Sequence, residues 1–146
     1  MEIERKFLLK ELPSDLENYP VRHLEQGYLC TSPVVRIRKD NDKYELTYKA
    51  KGMMVREEYN LPLTKEAYEH LKGKIDGRLI IKKRYMIPFE KYTIELDVFD
   101  GDLAPLTLAE VEFASEEEAK AFVAPDWFAE DVTFSELYHN SFLSKM

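Results

Sequence analysis

Glu2-Ile3-Glu4-Arg5-Lys6-Phe7 is the stretch whose reading decides the fold. Charges stand at 2, 4 and 6, with Ile3 and Phe7 between them. On an extended chain, side chains two apart share a face, so Glu2, Glu4 and Lys6 project together. The same spacing recurs in Arg36/Arg38, Thr47/Lys49, Arg56/Glu58/Asn60, Lys82/Arg84, Glu95/Asp97 and Glu110/Glu112. One antiparallel strand with a charged face normally turns it to water. Seven such strands, with few Ser, Thr, Gln or Asn on those faces, ask for a different reading.

Turn signals at Thr31-Ser32-Pro33, Lys39-Asp40-Asn41-Asp42, Pro88-Phe89-Glu90-Lys91 and Asp100-Gly101-Asp102 separate these runs. They delimit eight strands near 2–9, 21–31, 34–40, 43–50, 53–61, 78–88, 91–99 and 105–113. Loops this short predict antiparallel hairpins, because parallel neighbours need long crossovers. Eight antiparallel strands can close into a barrel without an edge, and the charged face then becomes an interior. The fold class is mainly β (α+β), with few, short, peripheral helices. Capping boxes open helices at Ser14 and Ser115, and Thr64 caps another. A short one begins near Thr133. The order β-α-β-β-β then occurs twice, which is the pattern a duplication would leave.

The 146 residues form one domain, 1–146, large enough for a core. A net charge of -7 argues against nucleic acid or an anionic membrane surface as partner. That charge is unevenly spread. Residues 1–93 hold 19 Lys and Arg against 15 Asp and Glu, whereas residues 94–136 hold 13 acids and one base. One cysteine, Cys30, allows no internal disulfide and is read as packed. The N-terminus has no signal-peptide pattern and no apolar run is long enough for a membrane span, so a cytoplasmic location is expected.

A two-signed interior is costly unless something binds there. Glu2, Glu4, Glu95, Asp97, Glu110 and Glu112 come from the first and last two strands, which become neighbours in a closed barrel. Clustered carboxylates suit Mg2+ or Mn2+. Lys6, Arg36, Arg38, Lys49, Arg56, Lys82 and Arg84 would line the other walls and suit an elongated chain of phosphates. Together these are the parts of a phosphoryl-transfer site. His23, His70 and His139 are too scattered for a metal site and are read as surface or core residues. Trp127-Phe128 is read as a core anchor, and no Walker-type loop exists. If Glu2, Glu4, Glu110 and Glu112 converge, they repel one another when empty, so Gln at 110 or 112 is expected to leave the fold as stable or more stable.

These residues resemble the CYTH proteins, also called triphosphate tunnel metalloenzymes. Glu2-x-Glu4-x-Lys6 looks like their ExExK signature. The likeness continues through Gln26-Gly27-Tyr28-Leu29 and the spaced pairs above to Pro125-Asp126-Trp127-Phe128. It implies an eight-stranded antiparallel barrel open at both ends, with a triphosphate in its tunnel. The resemblance makes Lys6, Arg36, Arg38, Lys49, Arg56, Lys82 and Arg84 phosphate ligands. It makes Glu2, Glu4, Asp97, Glu110 and Glu112 metal ligands or orienters of the attacking water, with Glu2, Glu4, Lys6, Glu110 and Glu112 as the catalytic set. Asn60 departs from a common Glu, and Lys51 is an extra base. The expected activity is Mg2+- or Mn2+-dependent hydrolysis of the terminal phosphate of a triphosphate, inorganic tripolyphosphate first. A class IV adenylyl cyclase and a noncatalytic polyphosphate-binding module are the alternatives. The partner is a triphosphate-containing small molecule; the oligomeric state, homodimer included, stays open.

Overall fold

The computed structural model describes residues 1–146. Its strands are β1 (Glu2–Leu9), β2 (Val21–Thr31), β3 (Val34–Asp40), β4 (Lys43–Lys49), β5 (Val55–Arg56), β6 (Glu58–Pro62), β7 (Asp76–Phe89), β8 (Tyr92–Phe99), β9 (Thr107–Glu112) and β10 (Phe128–Asp131). Three short helices accompany them: α1 (Lys65–Lys72), α2 (Glu116–Ala121) and α3 (Asn140–Leu143). All pairings are antiparallel, in the order β10-β1-β9-β8-β7-β2-β3-β4-β6, with β5 returning to β1.

The ring therefore has eight positions, and the strand expected at 53–61 closes it in two pieces. It breaks at Glu57. β6 pairs with β4 from Glu45↔Pro62 to Lys49↔Glu58, while β5 pairs with β1 at Glu2↔Arg56 and Ile3↔Val55. The count of ten rather than eight comes from this break and from β10. That short strand covers the rest of the same β1 edge at Phe7↔Asp131 and Leu9↔Phe128. The β-α-β-β-β order is present twice, but its first helix is a single 3-10 turn at Leu16–Asn18. The Ser14 capping box does not form a helix because Pro20 follows too soon. The residue before a proline is pushed out of the helical region, and Tyr19 is extended at φ -101°, ψ 151°. Thr64 and Ser115 do cap, accepting from the N–H groups of Ala67 and Glu118 at 3.1 Å each. Near Thr133 the chain forms a 3-10 turn, Glu136–Tyr138, and then α3.

The odd residues of β1 and β9 and the even ones of β8 face outward. Phe7, Val111, Ile94 and Leu96 bury themselves there with Phe128 and Ala119 of α2. A second apolar cluster explains a further departure. Ile80, Phe99 and Leu108 share the inward faces of Lys82, Asp97 and Glu110, so the barrel interior turns apolar at one end. Val132 and Leu143 join them there, and the C-terminal segment crosses that end. The bore is therefore charged over part of its length rather than throughout. No helix is long and apolar enough to cross a membrane.

Candidate active site

The charged interior encloses a cavity of about 150 Å³. Its lining includes Glu2, Glu4, Lys6, Arg36, Arg38, Lys49, Arg56, Arg84, Glu110 and Glu112. Strand register explains the gathering. Glu4 lies opposite Glu112 and Lys6 opposite Glu110 across β1 and β9, Glu2 opposite Arg56, and Glu95 opposite Glu110. In the eight-position ring, β1 and β9 stand opposite β2 and β3, so the acids face Arg36 and Arg38 across the bore.

Each wall holds charged groups that the protein's own side chains do not fully balance. Burial, reinforced by Glu110 and Glu2, pushes Glu4 up to about 8. Burial also raises Glu112, with Glu2 and Glu95 adding to it. On the other wall, burial with Arg36 and Arg84 nearby pulls Arg38 down to about 9. No carboxylate lies within ion-pair distance of Arg36 or Arg38. Arg38 is held by Gln26, its Nε donating to Oε1 at 2.8 Å, and Arg36 by Thr47 Oγ1 at 3.0 Å.

Between the walls, the remaining bases are already engaged. Lys49 Nζ reaches both oxygens of Glu2 at 3.0 and 3.1 Å and Glu58 at 3.3 Å, and Arg56 Nε lies 3.5 Å from Glu2. Lys6 Nζ donates to the Tyr138 carbonyl at 3.2 Å and lies 3.5 Å from Glu110. Glu110 is also 3.8 Å from Arg84, and Lys6 and Arg84 hold its carboxyl well below the ordinary range despite burial. The repulsion expected among the acids therefore falls on Glu4 and Glu112, while Glu110 is a partner of the bases. Those two contacts predict that Gln at 110 costs stability, the opposite of the expectation from the sequence.

Two residues read as ligands stand outside the cavity. Asp97 is wholly buried and accepts a bidentate pair from Arg84 at 2.7 and 2.9 Å. Lys82 Nζ lies 2.7 Å from Asp97 and donates to Asn140 Oδ1 at 3.0 Å. With both oxygens of Asp97 already met by cations, its visible task is to aim Arg84, and Lys82 brings a second cation to the same carboxylate. Burial pulls Lys82 down to about 7.

Some lining residues were not singled out from the sequence. Arg22 and Glu45 stand in the lining, and Arg22 is held by Asp40. Glu95, grouped with the acids through its spacing to Asp97, lines the cavity as well. His139 lines the inner end, where its ring Nε2 meets the Thr133 carbonyl at 3.0 Å. Burial, helped by Lys6, pushes it down to about 4, so it stays neutral. It sits in an irregular segment with no periodicity to expose its role.

The CYTH domain family model matches residues 1–146. An inorganic triphosphatase of Nitrosomonas europaea is 42% identical over 98% of this chain and 96% of its own length. One from Acetivibrio thermocellus is 34% identical over 99% and 93%. The crystal structure of an inorganic triphosphatase aligns with a TM-score of 0.74 at 37% identity, covering 100% of this chain and 95% of that one. A Hippeastrum protein described as a putative adenylyl cyclase with dominant triphosphatase activity shares the fold alone, with a TM-score of 0.60 at 16% identity over 83% of each chain. With the full length matched and the charged faces turned into the bore, this chain belongs to the CYTH domain family.

Proposed function

We propose that this protein hydrolyses linear inorganic triphosphate to orthophosphate and pyrophosphate, using Mg2+ or Mn2+ held at the acidic wall. The observation that carries this reading is the geometry of one cavity, in which Glu2, Glu4 and Glu112 on one wall face Arg36 and Arg38, which have no carboxylate partner, on the other. A polyanion on one wall and a divalent cation on the other relieve both at once. The activity is that of the inorganic triphosphatases 42% and 34% identical to this chain.

The donor chemistry fits a hard cation. Glu2, Glu4 and Glu112 offer carboxylate oxygens with Glu110 beside them. No three such groups stand close enough together to form a ready-made metal site. When bound, such a cation neutralises phosphate charge and acidifies a coordinated water. Arg36, Arg38, Arg84 and Lys6 grip the phosphate oxygens, the guanidiniums through paired N–H groups. Lys49 and Arg56 bridge from the acids to the chain. A carboxylate among Glu2, Glu4, Glu110 and Glu112 orients the attacking water toward the terminal phosphorus and accepts its proton.

Every contact in this arrangement is to phosphate, so adenosine adds little transition-state binding and tripolyphosphate should have the higher kcat/KM. Product analysis with Mg2+ tests the proposal. Orthophosphate plus pyrophosphate from tripolyphosphate supports it. Cyclic AMP from ATP would make the protein a cyclase, and tight binding without turnover a binding module. Full activity in excess EDTA would remove the metal from the scheme.

A further inference from the structure

Arg36, Thr47, Asn60 and Glu58 form one hydrogen-bonded line from the basic wall to the acidic side of the cavity. Arg36 lies opposite Thr47 in the β3–β4 register, and Thr47 lies opposite Asn60 in the β4–β6 register. Arg36 Nη2 donates to Thr47 Oγ1 at 3.0 Å. A guanidinium can only donate, so the single hydroxyl proton of Thr47 is left to point at Asn60 Oδ1, 2.5 Å away. That fixes the amide: its oxygen faces Thr47 and its NH2 donates to Glu58 Oε1 at 3.1 Å. Every link has a set direction, because the line begins at a pure donor and ends at a carboxylate that accepts.

We infer that Thr47 and Asn60 are positioning residues, which aim Arg36 at the substrate phosphates and tie that aim to Glu58. The inference rests on the proposed binding of a polyphosphate in this cavity. Thr47 is wholly buried, and its hydroxyl has no other partner to serve. Arg36 is anchored by one corner, and its Nε has no hydrogen-bond partner, which leaves donors free for an anion. The residue at 60 must accept on one side and donate on the other. Asn does both. A carboxylate there could accept from Thr47 but would present a like charge to Glu58.

A double-mutant cycle read by calorimetric binding of tripolyphosphate in EDTA, with KM and kcat alongside, tests this. Thr47→Val keeps the shape of the side chain and loses the hydroxyl. It should weaken tripolyphosphate binding and raise KM about fivefold to tenfold, with kcat changed less than about twofold. Thr47→Ser restores the hydroxyl and should restore binding to within about twofold. In an Arg36→Ala background, Thr47→Val should have almost no further effect. Asn60→Leu should weaken binding when Thr47 is present and add little to Thr47→Val. Additive losses in either cycle, or unrescued binding in Thr47→Ser, overturn the inference. Wild type that binds tripolyphosphate without hydrolysing it would overturn the proposed activity and leave both cycles readable.

Discussion

Glu4 and Glu110 are both buried in the same cavity with opposite consequences. The folded state raises Glu4 from an ordinary value of 4.5 to about 8, so between those pH values the native protein binds a proton the unfolded chain has lost. Stability without metal should therefore fall as pH rises through that window. Glu4→Gln should flatten the dependence and raise metal-free stability at pH 8 by roughly 2–4 kcal/mol, while abolishing turnover. Glu110 has a depressed value, so its contribution is present at neutral pH and is lost as pH falls below the ordinary carboxylate range. Glu110→Gln leaves Lys6 and Arg84 short of a partner and should destabilise by about 3 kcal/mol. Thermal melts of both variants from pH 4 to 9, in EDTA, check the contrast. A stabilised Glu110→Gln protein would mean that the acids act as one repelling group after all. The sequence shows that these two carboxylates share a face. It does not show which of them a base reaches, because that depends on Lys6 and Arg84 converging from strands far apart in the chain.

Among the elements, those with several residues at strict spacing are legible from sequence and the rest are not. β1, β3, β4 and β7 through β9 lie close to the expected ranges because charge alternation marks both their extent and their inward face, while β2 is bounded by the turn at Thr31-Ser32-Pro33. β10 has four residues and no alternation long enough to reveal it. Its place is set by tertiary contacts: Arg5 pairs with Asp131 at 2.8 Å, and the Lys6 N–H donates to Thr133 Oγ1 at 2.9 Å. Thr133 also donates to Asp131 Oδ1 at 2.5 Å and is almost wholly buried. Thr133→Val should then cost about 1–2 kcal/mol and loosen the segment that holds Lys6. Denaturant unfolding gives the first quantity. Faster amide exchange at Lys6 and Val132 than in wild type would report the second, and unchanged exchange there would detach the tail from the site.

For the whole molecule, the separation of acids from bases should make binding of the proposed cation and polyphosphate cooperative. A cation alone relieves one wall and tripolyphosphate alone relieves the other, while each still meets the field of the wall it does not touch. Mg2+ and tripolyphosphate together should raise the melting temperature by more than the sum of their separate shifts, and Glu4→Gln should remove most of the excess. A set of melts with each ligand singly and combined measures this, and simple additivity would count against two facing walls. The closed architecture was legible because alternation left no other place for so much charge. The apolar stretch of the interior was not, since Ile80, Phe99 and Leu108 look in sequence like ordinary strand residues, and only closure stacks them together inside the barrel.

The facing walls have a consequence outside the bore as well. Glu2, Glu4, Glu110 and Glu112 lie across the bore from Arg36 and Arg38, and the two walls form a transverse dipole inside it. A metal-bound polyphosphate is itself dipolar, with its cation toward one side and bare oxygens on the other. On the proposed binding mode, the torque between the two would turn the complex as it approaches, bringing its oxygens toward Arg36 and Arg38 and its cation toward Glu4. Capture should then be fast at low ionic strength and slow steeply with added salt, whereas an uncharged crowding agent of equal viscosity should slow it only in proportion to diffusion.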